Sequence, residues 1–363
     1  MRRLPALAGS LLLAFAIAGP GAVLAGSQRE HYASHPLHVR PNATSSPTGL
    51  SPATIKSAYS FSTSMTAGAG TTIAIVDAYN DPTAEADLNV FSSTYGLPAC
   101  TTANGCFQKV NQTGGTKYPK TNAGWALEIS LDVQWAHAIA PGAKILLVEA
   151  TSNSFTNLLA AEDYAANHAQ YVSNSWGSSE FSGENAYDSH FSHSGVSFFV
   201  SSGDNGTPAE YPSSSPNVIS VGGTTLHFSG NTFSSETGWS GSGGGCSVYE
   251  TATSAQSAFS QYGQVNCGGK RSTPDVSLDA DPASGLSVYD STRYQGQKGW
   301  WVVGGTSASS PMVAARAAFA GSVVNSSYVY GNSINYRDIT SGNNGASCLV
   351  GYDLVTGRGS WTH

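Results

Sequence analysis

The chain alternates short runs of apolar, often β-branched residues with longer segments whose apolar residues recur at helical spacing. The short runs predict strands at residues 71–76, 144–149, 171–175, 196–201 and 218–221. The longer segments predict helices at residues 82–95, 123–140, 156–168, 184–194 and 311–323. Short strands that alternate with helices favour an α/β fold with a mostly parallel sheet, in which ligands bind beyond the carboxyl ends of the strands.

Two regions depart from this alternation. Residues 229–300 are rich in Gly, Ser and Tyr and predict long loops or additional β-structure. Residues 26–48 show no periodicity and resemble a spacer or a short pro-segment. We therefore expect ordered structure to begin near Gly49, where Ser51 can cap a short helix that starts at Pro52.

The first 25 residues have the pattern of a signal peptide. Arg2 and Arg3 precede an apolar stretch at residues 4–17, and small residues follow before Gly26. A membrane anchor is the alternative, but the apolar stretch is short and is broken by Gly19-Pro20-Gly21. The sequence thus predicts secretion, extracellular or periplasmic, and no membrane association once the signal is removed.

Charged residues make up only 11% of the 363 residues, and the formal net charge is −7. The chain contains no run of Lys or Arg, which argues against nucleic-acid binding. An exported chain permits disulfides, and the cysteine spacings match no zinc-binding pattern. Cys100 could pair with Cys106, and Cys246 with Cys267, because the members of each pair are close along the chain. Cys348 would then be unpaired, although the spacing does not fix the connectivity.

Ser307 is a candidate nucleophile. It follows a Gly-Gly pair and opens an Ala-rich helix, whose N-terminus favours developing negative charge. On position alone an ordinary helix cap is the better interpretation of Ser307. The surrounding string Gly-Thr-Ser-Ala-x-x-Pro, residues 305–311, favours the nucleophile because it matches the serine segment of subtilisin-like folds.

A serine nucleophile needs a base, and no histidine stands in the His-Gly-Thr setting that subtilisins use. His31, His35 and His38 lie in the presumed spacer. The alternative base is a carboxylate, and Glu128 and Asp132 are spaced to share one face of the helix at residues 123–140. A solvated helix face is the competing interpretation, but the apolar neighbours of the pair suggest burial.

Two further aspartates follow predicted strands. Asp204, in Ser-Gly-Asp-x-Gly, is either part of an ordinary turn or a carboxyl at the sheet edge that donates to an oxyanion when protonated. Asp77 ends the first strand, where it either joins the Glu128 network or has a purely structural role.

Together these motifs, in this order, resemble the sedolisins, or serine-carboxyl peptidases, over about residues 50–360. The resemblance includes Ile-Ala-Pro-Gly-Ala at residues 139–143 and Ser-Asn-Ser-Trp-Gly at residues 173–177. It implies a subtilisin-like three-layer domain at residues 49–363, with helices flanking a mostly parallel central sheet. It also implies an acid-active peptidase that acts on proteins or peptides. The sequence does not separate endopeptidase from exopeptidase action, although secretion without other modules favours an endopeptidase, and we expect a monomer.

The resemblance assigns roles to individual residues. Ser307 attacks the peptide carbonyl, Glu128 accepts its proton, and Asp132 orients Glu128. Asp204, kept protonated, forms the oxyanion hole with a backbone amide. The edge that pairs with substrate backbone is formed by Ser175, Trp176 and Gly177.

The resemblance also implies one structural Ca²⁺ in the C-terminal region. Calcium prefers carboxylate and carbonyl oxygens. Asp338 and Asp353 would supply carboxylates, and the backbone carbonyls would come from Ile339, Leu349 and Gly351. Leu349 stands where family members usually have Gly, which does not affect a carbonyl ligand.

One feature departs from the family, whose members carry a large N-terminal pro-domain. Here only residues 26–48 lie between the predicted signal and the domain. Either this member folds without a pro-domain, or the short segment does a smaller version of its job, and self-trimming near Gly49 is therefore a hypothesis. Two other functions stay open: a neutral, histidine-dependent subtilisin-type hydrolase, and a non-catalytic secreted binding protein on a peptidase scaffold.

Overall fold

The candidate site lies at the carboxyl ends of three neighbouring strands in the middle of a large sheet. The computed structural model describes residue 1, residues 30–331 and residues 335–362. The predicted signal peptide, apart from Met1, lies outside the described residues. In the described part of the chain, no helix is long and apolar enough to cross a membrane.

The α-helices that the structure describes are α1 Pro52–Tyr59, α2 Ala84–Tyr95, α3 Ala123–Ile139, α4 Phe155–Ala166, α5 Ser254–Ala258, α6 Thr306–Ala318 and α7 Ser326–Gly331. Helices α2, α3 and α4 begin and end within two residues of the predicted positions, whereas α6 lies five residues before the predicted 311–323, and α5 and α7 were not predicted. As predicted, the Ser51 hydroxyl caps α1 by accepting from the Thr54 amide at 3.2 Å. The helix predicted at residues 184–194 is instead a shorter 3₁₀ helix, Glu184–Phe191.

The described strands are β1 His38–Val39, β2 Thr72–Ala78, β3 Phe107–Asn111, β4 Lys144–Ala150, β5 Tyr171–Asn174, β6 Ser178–Ser179, β7 Ser197–Ser201, β8 Glu210–Tyr211, β9 Ile219–Ser229, β10 Thr232–Gly238, β11 Gly245–Thr251, β12 Lys270–Thr273, β13 Val276–Asp279, β14 Leu286–Tyr294, β15 Gln297–Gly304, β16 Tyr336–Arg337 and β17 Ser360–Trp361. The region at residues 229–300 thus contains additional β-structure together with the loops that join it, so both predicted alternatives are present.

The central sheet has the order β16-β17-β13-β9-β7-β5-β2-β4-β3, and β10 pairs antiparallel with β9. Strands β3, β4, β2, β5, β7, β9, β13 and β17 run parallel, and β16 is antiparallel to β17. This confirms the predicted mostly parallel sheet. Its central strands are buried on both faces, which explains why they read as continuous apolar runs.

Alternate residues of each strand pack into two separate hydrophobic cores. Ile73 and Ile75 of β2 belong to the core that also contains α1, α2, α3 and α6. Ala74 and Val76 point the other way, into the core that contains α4. Helices therefore cover both faces of the sheet, as the three-layer prediction requires.

Both predicted disulfides, Cys100–Cys106 and Cys246–Cys267, are present, and Cys348 is a buried free thiol. The prediction that ordered structure begins near Gly49 is wrong. Packed structure begins at His31, because residues 31–44 form backbone hydrogen bonds with the rest of the domain.

Candidate active site

Ser307 is the second residue of α6, directly after the turn that joins this helix to β15. The turn needs Gly305, which has φ +111° and lies against the Pro36 carbonyl, where a Cβ would approach to 2.1 Å. Ser307 is fully buried, and its hydroxyl has no hydrogen-bond partner among the described residues. A buried hydroxyl at a helix N-terminus that caps nothing does not fit the helix-cap interpretation.

Glu128 and Asp132 lie one turn apart on α3, and both are fully buried. The whole helix from Trp125 to Ile139 is buried, which excludes a solvated face. Burial raises the pKa of Glu128, while His35 and the Ser307 hydroxyl act in the opposite direction. Helices α3 and α6 pack against each other, which places Glu128 near Ser307, although no hydrogen bond joins the two side chains.

Asp77 completes a group of three buried carboxyls. It is fully buried near the end of β2, and neither of its oxygens has a hydrogen-bond partner among the described residues. Burial, followed by the charges of Glu128 and Glu149, raises the pKa of Asp77 well above its usual range. Burial also raises the pKa of Asp132 strongly, with Asp77 and Glu128 adding to the effect. Of the two interpretations of Asp77, the structure thus favours membership of the Glu128 network.

Asp204 lies just beyond the end of β7 and contacts Thr306, the first residue of α6. Its Oδ1 accepts hydrogen bonds from the Thr306 amide at 2.7 Å and the Thr306 hydroxyl at 3.0 Å. The side chain is only 6% exposed. Oδ1 therefore accepts two hydrogen bonds from Thr306, whereas Oδ2 faces the His38 imidazole at 3.1 Å.

The predicted substrate edge is divided between two roles. Gly177 exchanges both backbone hydrogen bonds with Ser34, at 2.8 and 3.0 Å, so its backbone does pair with an extended segment. Trp176 is fully buried, and its indole N–H donates to the Val76 carbonyl at 3.1 Å. Ser175 is also buried, and its hydroxyl lowers the pKa of Asp132. Gly177 is therefore the pairing residue, whereas the Trp176 side chain belongs to the core.

Two histidines of the presumed spacer reach the site. His35 Nδ1 lies 3.3 Å from Glu128 Oε2, and His38 Nε2 lies 3.1 Å from Asp204 Oδ2. Sequence reasoning set both residues aside because the region around them has no periodicity. No local signal could have placed them, since their partners are more than ninety residues away along the chain.

The five predicted calcium ligands lie in neighbouring loops near the C-terminus. Burial raises the pKa of the Cys348 thiol to about 12, and the charges of Asp353 and Asp338 add to the effect, so both carboxyls lie near this thiol. In the part of the chain that the structure describes, no hydrogen bond reaches the carbonyls of Ile339, Leu349 and Gly351. Carbonyl and carboxylate oxygens are the donors that calcium prefers, but in this structure both carboxylates accept from backbone amides, Asp338 from Gly351 and Asp353 from Leu349, each at 3.0 Å.

A second group of buried carboxyls was not predicted. One oxygen each from Asp81, Asp87 and Asp290 lies within 4.8 Å of the others. The Thr83 hydroxyl lies between two of them, at 3.0 Å from Asp81 and 2.7 Å from Asp87. These aspartates thus already accept hydrogen bonds from neighbouring hydroxyls and amides, so we assign no ligand to the group.

Comparison with known proteins gives consistent matches. The profile of the subtilase family, Peptidase_S8, matches residues 68–338. Xanthomonalisin from Xanthomonas sp. (strain T-22) is 30% identical over 76% of this chain, and kumamolisin from Bacillus sp. (strain MN-32) is 29% identical over 87%. The chain spans 41% and 63% of the lengths of these two relatives.

Among solved structures, the chain is similar to Pseudomonas sedolisin, a serine-carboxyl proteinase complexed with two molecules of pseudo-iodotyrostatin. The TM-score is 0.72 and the identity 30%, with 87% of this chain and 96% of that chain covered. Sphericase, at 20% identity and a TM-score of 0.54, shares the fold.

Proposed function

Because this chain belongs to the subtilase family and, within it, to the sedolisins, we propose that it is an acid-active serine-carboxyl endopeptidase. The observation that carries the proposal is the convergence on Ser307 of buried carboxyls, with Glu128 on one side and Asp204 on the other. A buried serine with a carboxyl base and a second carboxyl beside it is suited to acyl transfer.

In the proposed reaction, Ser307 Oγ attacks the carbonyl carbon of the scissile peptide and passes its proton to Glu128. The carbonyl oxygen becomes an oxyanion, which accepts from Asp204 Oδ2 and from the Ser307 amide in the first turn of α6. When the tetrahedral intermediate collapses, the C–N bond breaks and Glu128 returns the proton to the leaving amine. Water then attacks the acyl ester with Glu128 again as base, which frees Ser307 and the acid product.

The surrounding carboxyls support this division of labour. Burial raises the pKa of Asp132 and of Asp77 well above the usual range, so both stay neutral and can donate hydrogen bonds to an ionised Glu128. Catalysis needs Glu128 ionised and Asp204 protonated at the same time. The rate should therefore fall at both pH extremes, with the working range on the acid side of neutrality.

We propose that protein or peptide substrates add a strand along Gly177, as Ser34 does within the chain.

We also propose a structural calcium ion held by the carboxylates of Asp338 and Asp353 and by the free carbonyls of Ile339, Leu349 and Gly351. When bound, calcium would tie the C-terminal loops together and take no part in the chemistry.

Two disulfides support export to an oxidising compartment, and we propose a monomer.

The test is cleavage of an unfolded protein across pH 3–8 with calcium present, comparing wild type with Ser307→Ala and Glu128→Gln. We expect activity on the acid side and loss of about 10²-fold or more in each variant. A maximum above pH 7 that survives Glu128→Gln would favour the neutral hydrolase. Absence of cleavage at every pH would favour a non-catalytic binding protein.

Self-trimming near Gly49 is measured in the same samples by intact mass. We expect it in acid for the wild type and not for Ser307→Ala. Identical trimming in both would exclude self-cleavage.

A further inference from the structure

A buried imidazole lies against the Cys100–Cys106 disulfide. A ring nitrogen of His137 and the Sγ atoms of Cys100 and Cys106 all lie within 4.8 Å of one another. Cys100 and His137 are fully buried, whereas Cys106 is half-buried. The spacing of the cysteines matches no zinc-binding pattern because the third group comes from α3, far along the chain. Only the fold brings the two sulfurs and the imidazole together.

The His137 imidazole is oriented in the way that metal-binding histidines are. Its Nε2 lies 2.9 Å from the Pro98 carbonyl, which only accepts hydrogen bonds, so Nε2 carries the ring proton. Burial lowers the pKa of His137, which keeps the ring neutral and leaves a lone pair on Nδ1. Nδ1 is buried and has no hydrogen-bond partner in the part of the chain that the structure describes. A buried lone pair of this kind is available to a metal ion, and histidine ligands commonly donate their other N–H to a carbonyl.

The disulfide is accessible from one side. Residues 102–105, in the loop between the two cysteines, are exposed. A surface cleft of about 250 Å³ opens beside Cys106 and is lined in part by Lys144 and His168. Cys100, in contrast, is 0% exposed. A reductant therefore reaches the Sγ atom of Cys106 first, with Cys100 as the leaving thiolate.

We propose that reduction of this disulfide creates a zinc site formed by Cys100, Cys106 and His137. One thiolate of a dithiol reductant attacks Cys106 Sγ, and the S–S bond breaks with its electron pair going to Cys100. The second thiol of the reductant then attacks the mixed disulfide, which frees Cys106 and releases the reductant as a cyclic disulfide. Zn²⁺ binds both thiolates and His137 Nδ1 while the two thiol protons pass to solvent, so the bound core is neutral.

The ligand set suits zinc and not the hard cations. Zn²⁺ prefers thiolate sulfur and imidazole nitrogen, whereas Ca²⁺ and Mg²⁺ prefer oxygen. A tetrahedral zinc ion with bonds of about 2.3 Å to sulfur and about 2.1 Å to nitrogen needs ligand atoms about 3.6 to 3.8 Å apart. Three atoms that already lie within 4.8 Å of one another need only small side-chain rotations to reach this geometry. A water molecule would complete the tetrahedron.

Bound zinc would add a connection that the disulfide does not provide. His137 lies in the last turn of α3, the helix that carries Glu128 and Asp132. Zinc would therefore join the loop at residues 100–106 to the C-terminal end of this helix, whereas the disulfide joins the loop only to itself. The inference does not depend on the proposed peptidase function.

The test uses the full chain, reduced with dithiothreitol, freed of the reductant without air and titrated with Co²⁺ as a spectroscopic substitute for Zn²⁺. We expect one equivalent of Co²⁺ to produce thiolate-to-metal charge-transfer absorption. Zn²⁺ should displace it with a Kd of about 1 μM or tighter. The oxidised chain should show no such absorption. Because this absorption requires sulfur ligands, metal bound to carboxylates or carbonyls elsewhere does not contribute to it.

His137→Asn should weaken Zn²⁺ binding about 100-fold or more, because only the two thiolates remain. His168→Asn is the matched control and should bind as wild type does. It removes a histidine of the same cleft, whose Nδ1 already lies 2.7 Å from the Tyr164 carbonyl. Cys246→Ser with Cys267→Ser removes the other disulfide and should also retain binding. Far-UV circular dichroism of each reduced variant reports whether it is folded.

Absence of charge-transfer absorption in the reduced chain, or equal Zn²⁺ affinity in wild type and folded His137→Asn, would overturn the proposal. If His137→Asn does not fold, Cys106→Ser takes its place, because this side chain is only half-buried. Zn²⁺ affinity that Cys106→Ser leaves unchanged would equally contradict the site. None of these measurements uses hydrolysis, so the zinc site and the peptidase function are tested separately.

Discussion

Thr306 holds Asp204 by one oxygen only. Both the amide and the hydroxyl of Thr306 donate to Oδ1, at 2.7 and 3.0 Å, which leaves Oδ2 pointing at the position of His38. The same hydroxyl contacts the backbone amide and carbonyl of Gly203, each at 3.1 Å. The residue before the nucleophile thus orients the proposed oxyanion donor.

Thr306→Val should therefore lower kcat by about 10- to 100-fold with little change in KM, because Asp204 loses one of its two anchors. Thr306→Ser, which keeps the hydroxyl, should restore most of the rate. Ser309→Ala is the matched control, since it removes a buried hydroxyl from the same helix that donates to Gly222 at 2.7 Å. An equal loss of kcat in Ser309→Ala would assign the effect to helix stability.

Glu162 should make the fold more stable in acid than at neutral pH. It is fully buried in α4, where burial raises its pKa from 4.5 to about 8. The folded state then binds a proton more tightly than the unfolded chain, so its stabilising effect is complete below pH 4.5 and is lost as pH rises towards 8.

In Glu162→Gln, which keeps the neutral shape, the free energy of unfolding should decline less between pH 4.5 and 8 than in wild type. The measurement is urea unfolding at a series of pH values. Glu85→Gln, at a partly exposed carboxyl of α2, should keep the wild-type slope. A slope unchanged by Glu162→Gln would contradict the prediction.

Calcium should raise the melting temperature if the C-terminal loops bind it. A ligand present at one hundred times its Kd stabilises the folded state by about 2.7 kcal/mol. Asp338→Asn removes one exposed carboxylate and should abolish most of the difference in Tm between calcium and a chelator. Asp163→Asn, at a side chain that is 47% exposed, is the control and should retain the difference.

The two disulfides should differ in their contribution to stability because they close loops of different length. Cys246 and Cys267 are separated by 21 positions, and Cys100 and Cys106 by 6. Loop-closure entropy predicts losses of about 3 kcal/mol for Cys246→Ser with Cys267→Ser and about 2 kcal/mol for the other pair. Guanidinium unfolding of both double variants measures the difference, and a reversed order would show that native-state strain dominates.

Only part of the candidate site could be predicted from the sequence. Ser307 and Glu128 were identifiable because short motifs and helical spacing are local properties. The interior position of Trp176 was not identifiable, since the direction of its side chain depends on the Val76 carbonyl of a neighbouring strand. His35 and His38 were missed for the same reason: their roles are defined by partners that lie far away in the sequence.

The sequence by itself determined the α/β alternation, the nucleophile segment and the carboxyl-bearing helix, because each depends on contiguous or nearby residues. It suggested the two disulfide pairs but did not fix their connectivity. Only the tertiary structure decided that Asp77 joins Glu128 and that residues 31–44 cross the active site. Both facts depend on the order of β2, β5 and β7 in the sheet and on the burial that desolvates the carboxyls. Periodicity along a single chain carries information about neither.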